Sequence, residues 1–439
     1  MAAFLPPRGM RDFYPEEYRL RETIFTAWRD AARTHGFESY DAPVVESMEL
    51  LERKAGEEIS EQIYTFQDKS GRRLALRGEL TPSLARMINA RQRELAFPLK
   101  WSAIVQCFRY ERMTRGRKRE HYQWNLDIVG EESVMAEAEV ICTAVDALQR
   151  LGFSCSDLQV RVGSRALLGE LFALCGLVPE QYSACFLVLD KRGKIADEEI
   201  ASLLADAGIS KSRIGPILDM TSIRTLEEAQ SRAGASSRAI SDLRELFTVA
   251  EPMGFRDDLV FDISIVRGLG YYTGIVFEAF DTGRKLRAVF GGGRYDNLLS
   301  LLGGDRMPCV GLGFGDVVVA ELLAECGKTP RTSPRVDCAV GFMDAASRDI
   351  AMRVAACARQ SGRECDTTLA PEKAKVFFKR ANRIAAQHAI FIGPDEAATG
   401  RIHVKNMATG VQVECSIEGL AASLSAGKDQ DTDSTDGHQ

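Results

Sequence analysis

The chain has 439 residues, of which 45% are hydrophobic and 27% are charged, an ordinary composition for a soluble globular protein. At about one domain per 150 residues, this length predicts two to four domains. The formal net charge of −6 excludes a general polyanion binder, so any nucleic-acid contact must come from local basic patches. Apolar runs stay short of the ~18 residues that a transmembrane helix needs, so we expect no membrane partner.

Cysteine and histidine are scattered along the chain. Eleven cysteines, between Cys107 and Cys415, include no Cys-x-x-Cys pair, and the five histidines do not cluster with them. This spacing excludes a zinc ribbon and a disulfide framework, and it predicts no metal site. An odd number of thiols, together with an N-terminus that lacks a signal-peptide pattern, predicts a cytoplasmic protein with reduced cysteines.

The first predicted elements are a helix and an edge strand. Residues 16–35 carry apolar side chains such as Ile24 and Trp28 at helical spacing, which predicts an amphipathic helix. Residues 37–45 then have the composition of a strand. Pro43 within this segment suits the edge of a sheet or the start of a strand, since proline cannot donate a ladder hydrogen bond.

The most informative pair of segments is a predicted hairpin formed by residues 101–111 and 121–129. In its second strand, apolar residues alternate with Gln123, Asn125 and Asp127, which predicts one buried face and one polar face. The loop between the strands, MTRGRKRE, is flexible and basic. Polar residues in this order along a sheet face indicate a ligand, whereas a solvated charged hairpin is the simpler alternative.

Three further stretches follow in chain order. Residues 167–245 are helical in pattern, which predicts an inserted helical domain, and residues 257–320 return to strands. A linker rich in Pro, Ser and Thr occupies 327–335. Strands and helices then alternate over 336–425 and predict a small α/β domain. The polar tail beyond them is predicted to be disordered.

Two charged clusters stand out in the first third of the chain. In LRGELT, Glu79 and the neighbouring Thr81 suit an ammonium group, although Thr81 before Pro82 also fits the start of a helix. In FRYER, Arg109 and Glu111 stand two apart and therefore share a predicted strand face. The arginine can hold a phosphate there through a bidentate contact. The basic loop that follows suits a triphosphate or a tRNA end.

Two glycine-rich clusters follow the helical stretch. VRGLGYYTGIVFE places Tyr271 and Tyr272 between glycines, so their rings lie near exposed backbone; packing of one tyrosine in the core is the alternative. VFGGGRYDNLL carries Gly291 to Gly293 after a predicted strand. Three glycines there permit close approach of a ligand to the backbone, or a tight turn.

These motifs, in this order, resemble those of the histidyl-tRNA synthetases, a class II aminoacyl-tRNA synthetase family. RGLGYYTG is similar to the family's histidine motif RGLDYYTG, with Gly270 in place of Asp, and GGGRYDNLL is similar to its GGRYDxL signature. FRYER resembles class II motif 2, and LRGELT resembles LRPEGT or LRYDLT. RGMRDFYP and the segment ending at Pro43 resemble the family's start and motif 1. VFFKRA and IFIGPDE resemble its anticodon-binding domain.

One segment departs from the family pattern. Class II motif 3 usually reads GLGLER, and its arginine normally contacts the γ-phosphate of ATP, whereas this chain has VGLGFGDVVVAELL with Val318 at that position. We expect a basic residue of the motif 2 loop, Arg115 or Arg117, to supply the missing contact, because one magnesium ion neutralises only part of the triphosphate charge.

The resemblance implies an α+β fold, with an antiparallel class II sheet, flanking helices, a helical insertion and a C-terminal α/β anticodon-binding domain. The implied bounds are a catalytic domain over 1–166 and 246–326, an insertion over 167–245, a linker over 327–335, an anticodon-binding domain over 336–425 and a disordered tail over 426–439.

Residue roles are implied by the resemblance as well. Arg109 and Arg267 would be the catalytic pair, contacting the α-phosphate from two sides. The residues implied for histidine are Glu79, Leu80, Thr81, Arg109, Gln123, Asp127, Arg267, Tyr271 and Tyr272. The residues implied for ATP, which would enter with Mg²⁺, are Arg109, Glu111, Arg117 and Arg294. The implied partners are histidine tRNA, L-histidine, ATP and a second copy of the chain in a homodimer.

One alternative stays open at this point. The regulatory subunit of ATP phosphoribosyltransferase is a synthetase paralogue that senses histidine without aminoacylation. The missing arginine of motif 3 favours this alternative. The retained C-terminal domain and Arg267 favour the ligase.

Overall fold

The computed structural model describes residues 4–54, 62–192, 195–268, 270–330 and 336–425. These residues belong to two units, Met1–Pro330 and Arg331–Gln439. The predicted disordered tail lies outside the described residues, as does the second half of the predicted linker, so both stay predictions.

The first unit alternates strands and helices, with an all-helical stretch in its second half. Its elements in chain order are α1 Pro15–Thr34, β1 Glu38–Ser39, β2 Val45–Ser47, α2 Met48–Lys54, β3 Thr65–Gln67, β4 Arg73–Leu76, α3 Thr81–Arg91, β5 Leu99–Phe108, β6 Glu120–Val129, α4 Met135–Arg150, β7 Leu158–Ser164, α5 Arg165–Leu174, α6 Pro179–Leu189, α7 Asp197–Asp206, α8 Lys211–Met220, α9 Leu226–Ala233, α10 Arg238–Val249, β8 Leu259–Phe261, β9 Ile275–Asp281, β10 Phe290–Arg294, α11 Leu298–Leu301, β11 Cys309–Gly315 and α12 Asp316–Glu325.

An eight-stranded sheet forms the centre of this unit, in the order β1-β5-β6-β11-β10-β9-β7-β8. The six inner strands pair antiparallel, and the two edge strands pair parallel to their neighbours. Strands β2, β4 and β3 form a small separate sheet. The predicted α+β class, with a largely antiparallel sheet and flanking helices, is confirmed.

One face of the sheet is closed by an apolar core. Helix α1 begins with Pro15 at a position that proline favours, and it buries Ile24 and Trp28. The Trp28 ring stacks on Trp124 of β6 with centroids 5.7 Å apart and lies 5.1 Å from the ring of Phe314 in β11. The alternating pattern of β6 therefore places its aromatic face in the core, as predicted, and leaves the opposite face to polar residues.

The predicted hairpin is present, with one correction. Strands β5 and β6 pair from Leu99↔Val129 to Phe108↔Glu120. Because β5 ends at Phe108, Arg109 and Glu111 lie beyond the strand, and the prediction that they share a strand face is wrong. The Arg109 amide still donates to the carbonyl oxygen of Arg119 at 2.9 Å, in register with the ladder, but the Arg119 amide donates to the carbonyl oxygen of Gly9, so the pairing ends there.

Two other predicted strands differ from the structure. The segment 37–45 contains only the two-residue β1 and the first residue of β2. The glycines Gly291 to Gly293 lie inside β10 and do not follow a strand, so neither a tight turn nor a loop forms there. Their lack of side chains becomes important on the polar face of the sheet.

The second unit is a small sheet with helices. Its elements are β12 Cys338–Phe342, α13 Ala345–Gln360, β13 Cys365–Thr367, α14 Ala374–Arg383, β14 His388–Ile392, α15 Pro394–Thr399, β15 Arg401–Asn406, β16 Gln412–Ser416 and α16 Leu420–Ser425. The five strands follow the order β13-β12-β14-β15-β16. The predicted alternation of strands and helices over 336–425 is therefore present.

Within the described ranges, no single helix combines the length and the apolar composition that a membrane span needs; α5 and α6 meet both criteria only as a pair, bent by 119°.

Candidate active site

Glycines in β10 and β11 make room for polar side chains on the face of the sheet opposite the core with Trp28. A Cβ atom at Gly311 would lie 2.1 Å from Asp127 Oδ1, and one at Gly313 would lie 2.8 Å from Gln123 Nε2. A side chain in either place would therefore collide with the polar residues of β6. We call Gly291, Gly311 and Gly313 the glycine patch.

Arg267 lies over Gly291, the member of this patch that belongs to β10. A Cβ atom at Gly291 would be 1.7 Å from Arg267 Nη1. The same nitrogen donates to Glu278 Oε1 of β9 at 2.9 Å, and the guanidinium lies 5.5 Å from the centre of the Tyr272 ring. Burial lowers the pKa of Arg267, but the facing Tyr272 and Glu278 more than offset it. The side chain is therefore a fixed cation on the sheet face.

The loop that carries Arg267 is held by a second arginine, Arg165, at the start of α5. Its Nε donates to the carbonyl oxygen of Val266 at 2.9 Å and its Nη1 to that of Tyr272 at 3.3 Å, while Nη2 donates to the carbonyl oxygen of Arg267. Burial lowers the pKa of Arg165 to about 10. Arg267 has a φ of 57°, in the left-handed region that an L-residue rarely adopts. The three bonds from Arg165 stabilise this backbone.

Tyrosines and carboxylates gather beside the glycine patch. Tyr295 donates to Asp127 Oδ1, and its ring meets Tyr271 edge-on with centroids 5.7 Å apart. Tyr271 and Tyr272 pack at 4.7 Å. Burial, then the neighbouring Tyr272 and Glu79, raise the pKa of Tyr271 well above its usual value. Residues from four distant segments therefore meet in one polar, aromatic cluster.

The segment 79–81 lies just before and at the start of α3. Glu79 and Thr81 are buried, and the charge of Glu79 acts on Tyr271. The Leu80 side chain is fully buried in an apolar cluster with Val105 and Cys107, so its predicted part in binding histidine stays a prediction. The helix starts at Thr81, as the alternative expected, although Leu80 and not Thr81 takes the cap position.

A cavity of about 160 Å³ adjoins Gln123 and is rich in cations. Arg109, Arg117, Lys118 and Arg287 line it, against the carboxylate of Glu111. Arg109 Nε donates to the carbonyl oxygen of Gly78 at 2.9 Å, and Arg117 forms an ion pair with Glu111. This excess of positive charge suits a polyanionic ligand.

His121 also lines this cavity. Burial, followed by the positive charge of Arg109, lowers the pKa of His121 to about 3, although Gln123 acts in the opposite direction through a hydrogen bond. The ring is therefore neutral at physiological pH, and it presents a flat polar surface between the cations without adding to their charge.

Two predicted phosphate ligands point elsewhere. Arg294 donates through Nε and Nη2 to both carboxylate oxygens of the buried Glu137, at 2.7 and 2.6 Å, and it does not line the cavity. Its predicted contact with ATP stays a prediction. Arg115 contacts Glu321 and Glu325 of α12, so the loop residue first considered as a substitute is already engaged.

Sequence reasoning missed three residues of this site, namely Arg165, Tyr295 and Arg287. Arg165 stands between a strand and a helix with no motif around it, and Arg287 is one of many basic residues on exposed loops. Tyr295 lies within the motif GGGRYDNLL. It reaches Asp127 only because β10 pairs with β11, which in turn pairs with β6.

The chain is similar to known proteins along nearly its whole length. Residues 9–315 match the family described as histidyl-tRNA synthetase, and residues 337–426 match the anticodon binding domain. A chloroplastic/mitochondrial histidine–tRNA ligase of Arabidopsis thaliana is 44% identical, over 94% of this chain and 85% of the relative. A histidine–tRNA ligase of Opitutus terrae is 35% identical, over 96% and 98%.

A solved structure supports the fold. The histidyl-tRNA synthetase from Nostoc sp. PCC 7120 has a TM-score of 0.81 at 24% sequence identity and covers 97% of this chain and 100% of its own. The sheet, its polar face and the matched families define a class II aminoacyl-tRNA synthetase. Within that class, the chain belongs to the histidyl-tRNA synthetase family.

Proposed function

We propose that the chain is a histidine–tRNA ligase that activates L-histidine with ATP and transfers it to the 3′ end of its tRNA. The observation that carries the proposal is the proximity of two groups of side chains on one sheet face. Tyr295 donates to Asp127 beside the glycine patch, and Gln123, which lies against Gly313 of the same patch, also lines the cation-rich cavity. Amino-acid activation needs this arrangement, because the amino-acid carboxylate must meet the α-phosphate.

The aromatic pocket takes the amino acid. Glu79 and Thr81 face the ammonium group, since a buried carboxylate and a hydroxyl accept its hydrogen bonds. Tyr271 and Tyr272 line the place of the imidazole. Asp127 and Gln123 hold the polar atoms of this ring. These assignments follow the motif resemblance, and they agree with a pocket that holds both rings and carboxylates.

The first step needs charge neutralisation and alignment. The histidine carboxylate oxygen attacks the α-phosphorus, the new P–O bond forms, and the bond to pyrophosphate breaks. Arg109 and Arg267 stabilise the negative charge that develops, acting as preorganised cations. ATP would enter as its magnesium complex, whose metal would neutralise part of the phosphate charge, and Glu111 and Arg117 would contact the nucleotide from the wall of the cation-rich cavity.

The second step needs no basic side chain of the protein. A terminal ribose hydroxyl of the tRNA attacks the carbonyl carbon of the adenylate, and the bond from carbonyl carbon to phosphate oxygen breaks. An oxygen of the departing phosphate accepts the hydroxyl proton, so AMP leaves. The neutral His121 and the fully charged arginines are consistent with this, as neither group has to exchange a proton.

The second unit binds the tRNA. It matches the anticodon binding domain, and α14 carries a strongly basic sequence, AKVFFKRANR, which suits a phosphate backbone.

The chain acts as a homodimer. This is supported by the resemblance of its N-terminal segment to motif 1 and by the exposed apolar side chains of Phe4, Leu5 and Val45. The cytoplasmic location stays a prediction.

Histidine-dependent ATP–pyrophosphate exchange tests this function. The wild type is expected to exchange label only when histidine is present, whereas a histidine-sensing regulatory subunit would bind histidine without exchange. Arg267→Ala is expected to lower the exchange rate by roughly 10²–10³-fold, the typical effect of losing one preorganised group in such a site. Arg348→Ala, an exposed arginine of the second unit, is the control. Exchange that is absent from the wild type would overturn the proposal.

A further inference from the structure

Val318 and Arg287 meet at one wall of the cation-rich cavity. Val318 lies in the first turn of α12, and Arg287 lies three residues before β10. The Cβ position of Gly116, in the motif 2 loop, is 3.5 Å from Val318 Cγ2 and 3.8 Å from Arg287 Cδ. Both side chains line the cavity, so Arg287 enters it beside the position where the family carries an arginine.

The charge of Arg287 is available for a ligand. Arg115 is paired with two glutamates of α12, and Arg117 is paired with Glu111. Among the described residues, no carboxylate lies within ion-pair distance of Arg287, and its side chain is exposed. Its guanidinium can therefore turn towards an anion without breaking an existing contact.

The cations of this cavity repel one another in the absence of an anion. Burial lowers the pKa of Arg117, and the charges of Arg287 and Arg109 act in the same direction against the carboxylate of Glu111. A polyphosphate would remove this repulsion. An arginine at position 318 would add another positive charge beside Arg287, which gives a physical reason for an apolar residue there.

We propose that Arg287 binds the outer phosphates of ATP in place of the arginine that motif 3 carries at position 318 in this family. This inference rests on the proposed function for its ligand. The cation lies on the segment before β10 and not on helix α12, and both positions border the same cavity beside Gly116. Arg117 of the motif 2 loop lines the same cavity but is paired with Glu111, so the assignment rests on Arg287.

Binding of ATP and of AMP tests the assignment without depending on catalysis. Arg287→Ala is expected to weaken ATP binding by roughly tenfold to a hundredfold, as for loss of a hydrogen bond between charged groups, and to leave AMP binding unchanged, since AMP lacks the outer phosphates. Arg284→Ala is the matched control. Arg284 belongs to the same segment, but its partner is Asp262 at 3.4 Å.

A charge-relocation variant sharpens the test. Arg287→Ala combined with Val318→Arg is expected to recover most of the ATP affinity, and the ATP KM in pyrophosphate exchange should follow the same order. Equal ATP affinity in wild type and Arg287→Ala would overturn the assignment, as would a parallel loss of AMP binding. If wild type shows no exchange but Arg287→Ala weakens ATP selectively, the ligase proposal fails and the phosphate site stands.

Discussion

Gly291→Ala is expected to damage catalysis far more than folding. The added Cβ would lie 1.7 Å from Arg267 Nη1 and 3.0 Å from Glu278 Cγ. Neither atom belongs to the backbone, and the φ of Gly291 is not in the left-handed region. The strand itself can therefore accept alanine, while Arg267, the proposed catalytic residue, cannot keep its position.

The size of the effect follows from the displacement. Ordinary contact begins at 3.4 Å, so Arg267 Nη1 must retreat by about 1.7 Å and leave its 2.9 Å bond with Glu278. A misplacement of about 1 Å costs on the order of 10²-fold in rate, which corresponds to about 2.7 kcal/mol of transition-state stabilisation. The free energy of unfolding should change by only about 1–2 kcal/mol, because the cost of moving one side chain is partly offset by replacing glycine in a strand.

Pyrophosphate exchange and thermal unfolding, measured on the same preparations, separate these effects. Gly292→Ala is the informative contrast, since its Cβ would lie 2.2 Å from the carbonyl oxygen of Gly311, a backbone atom that cannot move without the sheet. For Gly292→Ala, the main expected effect is therefore a loss of stability in thermal unfolding. Gly215→Ala in α8, with open space around it, should lose neither. Exchange by Gly291→Ala within a few-fold of wild type would refute the reasoning.

Two further predictions concern the other unit and the cation-rich cavity. A chain ending at Pro330 is expected to keep histidine-dependent exchange and to lose most tRNA charging; the cut must spare Lys328, which donates to the carbonyl oxygen of Gly152 at 2.7 Å, and equal loss of both activities would contradict it. His121 has a lowered pKa, so its contribution to stability is complete above about pH 6.5 and is lost as the pH falls towards 3. Between pH 7 and 5 the wild type should lose at most about 2 kcal/mol of unfolding free energy through this group, less where water in the cavity reaches the ring. His121→Phe should flatten that part of a chemical-denaturation profile; an unchanged slope would count against a buried neutral ring.

Periodicity predicted the elements whose one face is buried. Strand β6 alternates because the core behind it accepts Trp124 and excludes Gln123, and α1 repeats every three to four residues for the same reason. The sequence did not predict where β5 ends, because Arg109 continues its alternation although the chain leaves the ladder. The apolar–polar pattern of one strand does not show where its partner strand stops pairing with it.

The site residues divide in the same way. Of the residues that the motifs marked, Arg267, Tyr271 and Asp127 lie together beside the glycine patch. The side chain of Leu80 lies in the core, and that of Arg294 forms an ion pair with the buried Glu137. Neighbouring residues of a motif point to opposite sides of a strand or of a helix start. A motif therefore predicts where its segment lies in the fold more reliably than it predicts which of its side chains face the site. Arg165 shows the converse, since its three bonds all reach residues about 100 positions away.

The glycine patch could be predicted from the spacing of glycines by two along each strand, and not from the three consecutive glycines at 291–293. Glycine occupies positions 311, 313 and 315 of β11 and positions 291 and 293 of β10, and a spacing of two places each set on one face of its strand. Glycine weakens a strand interior, because it packs no side chain and loses more backbone entropy on folding. Two neighbouring strands that both accept this loss on one face need that space for something else. Here the space is taken by Arg267, Asp127 and Gln123, long polar side chains that lie across the sheet from other segments. Alternating glycines on paired strands therefore predict a polar site formed by distant residues, even where the residues themselves cannot be named.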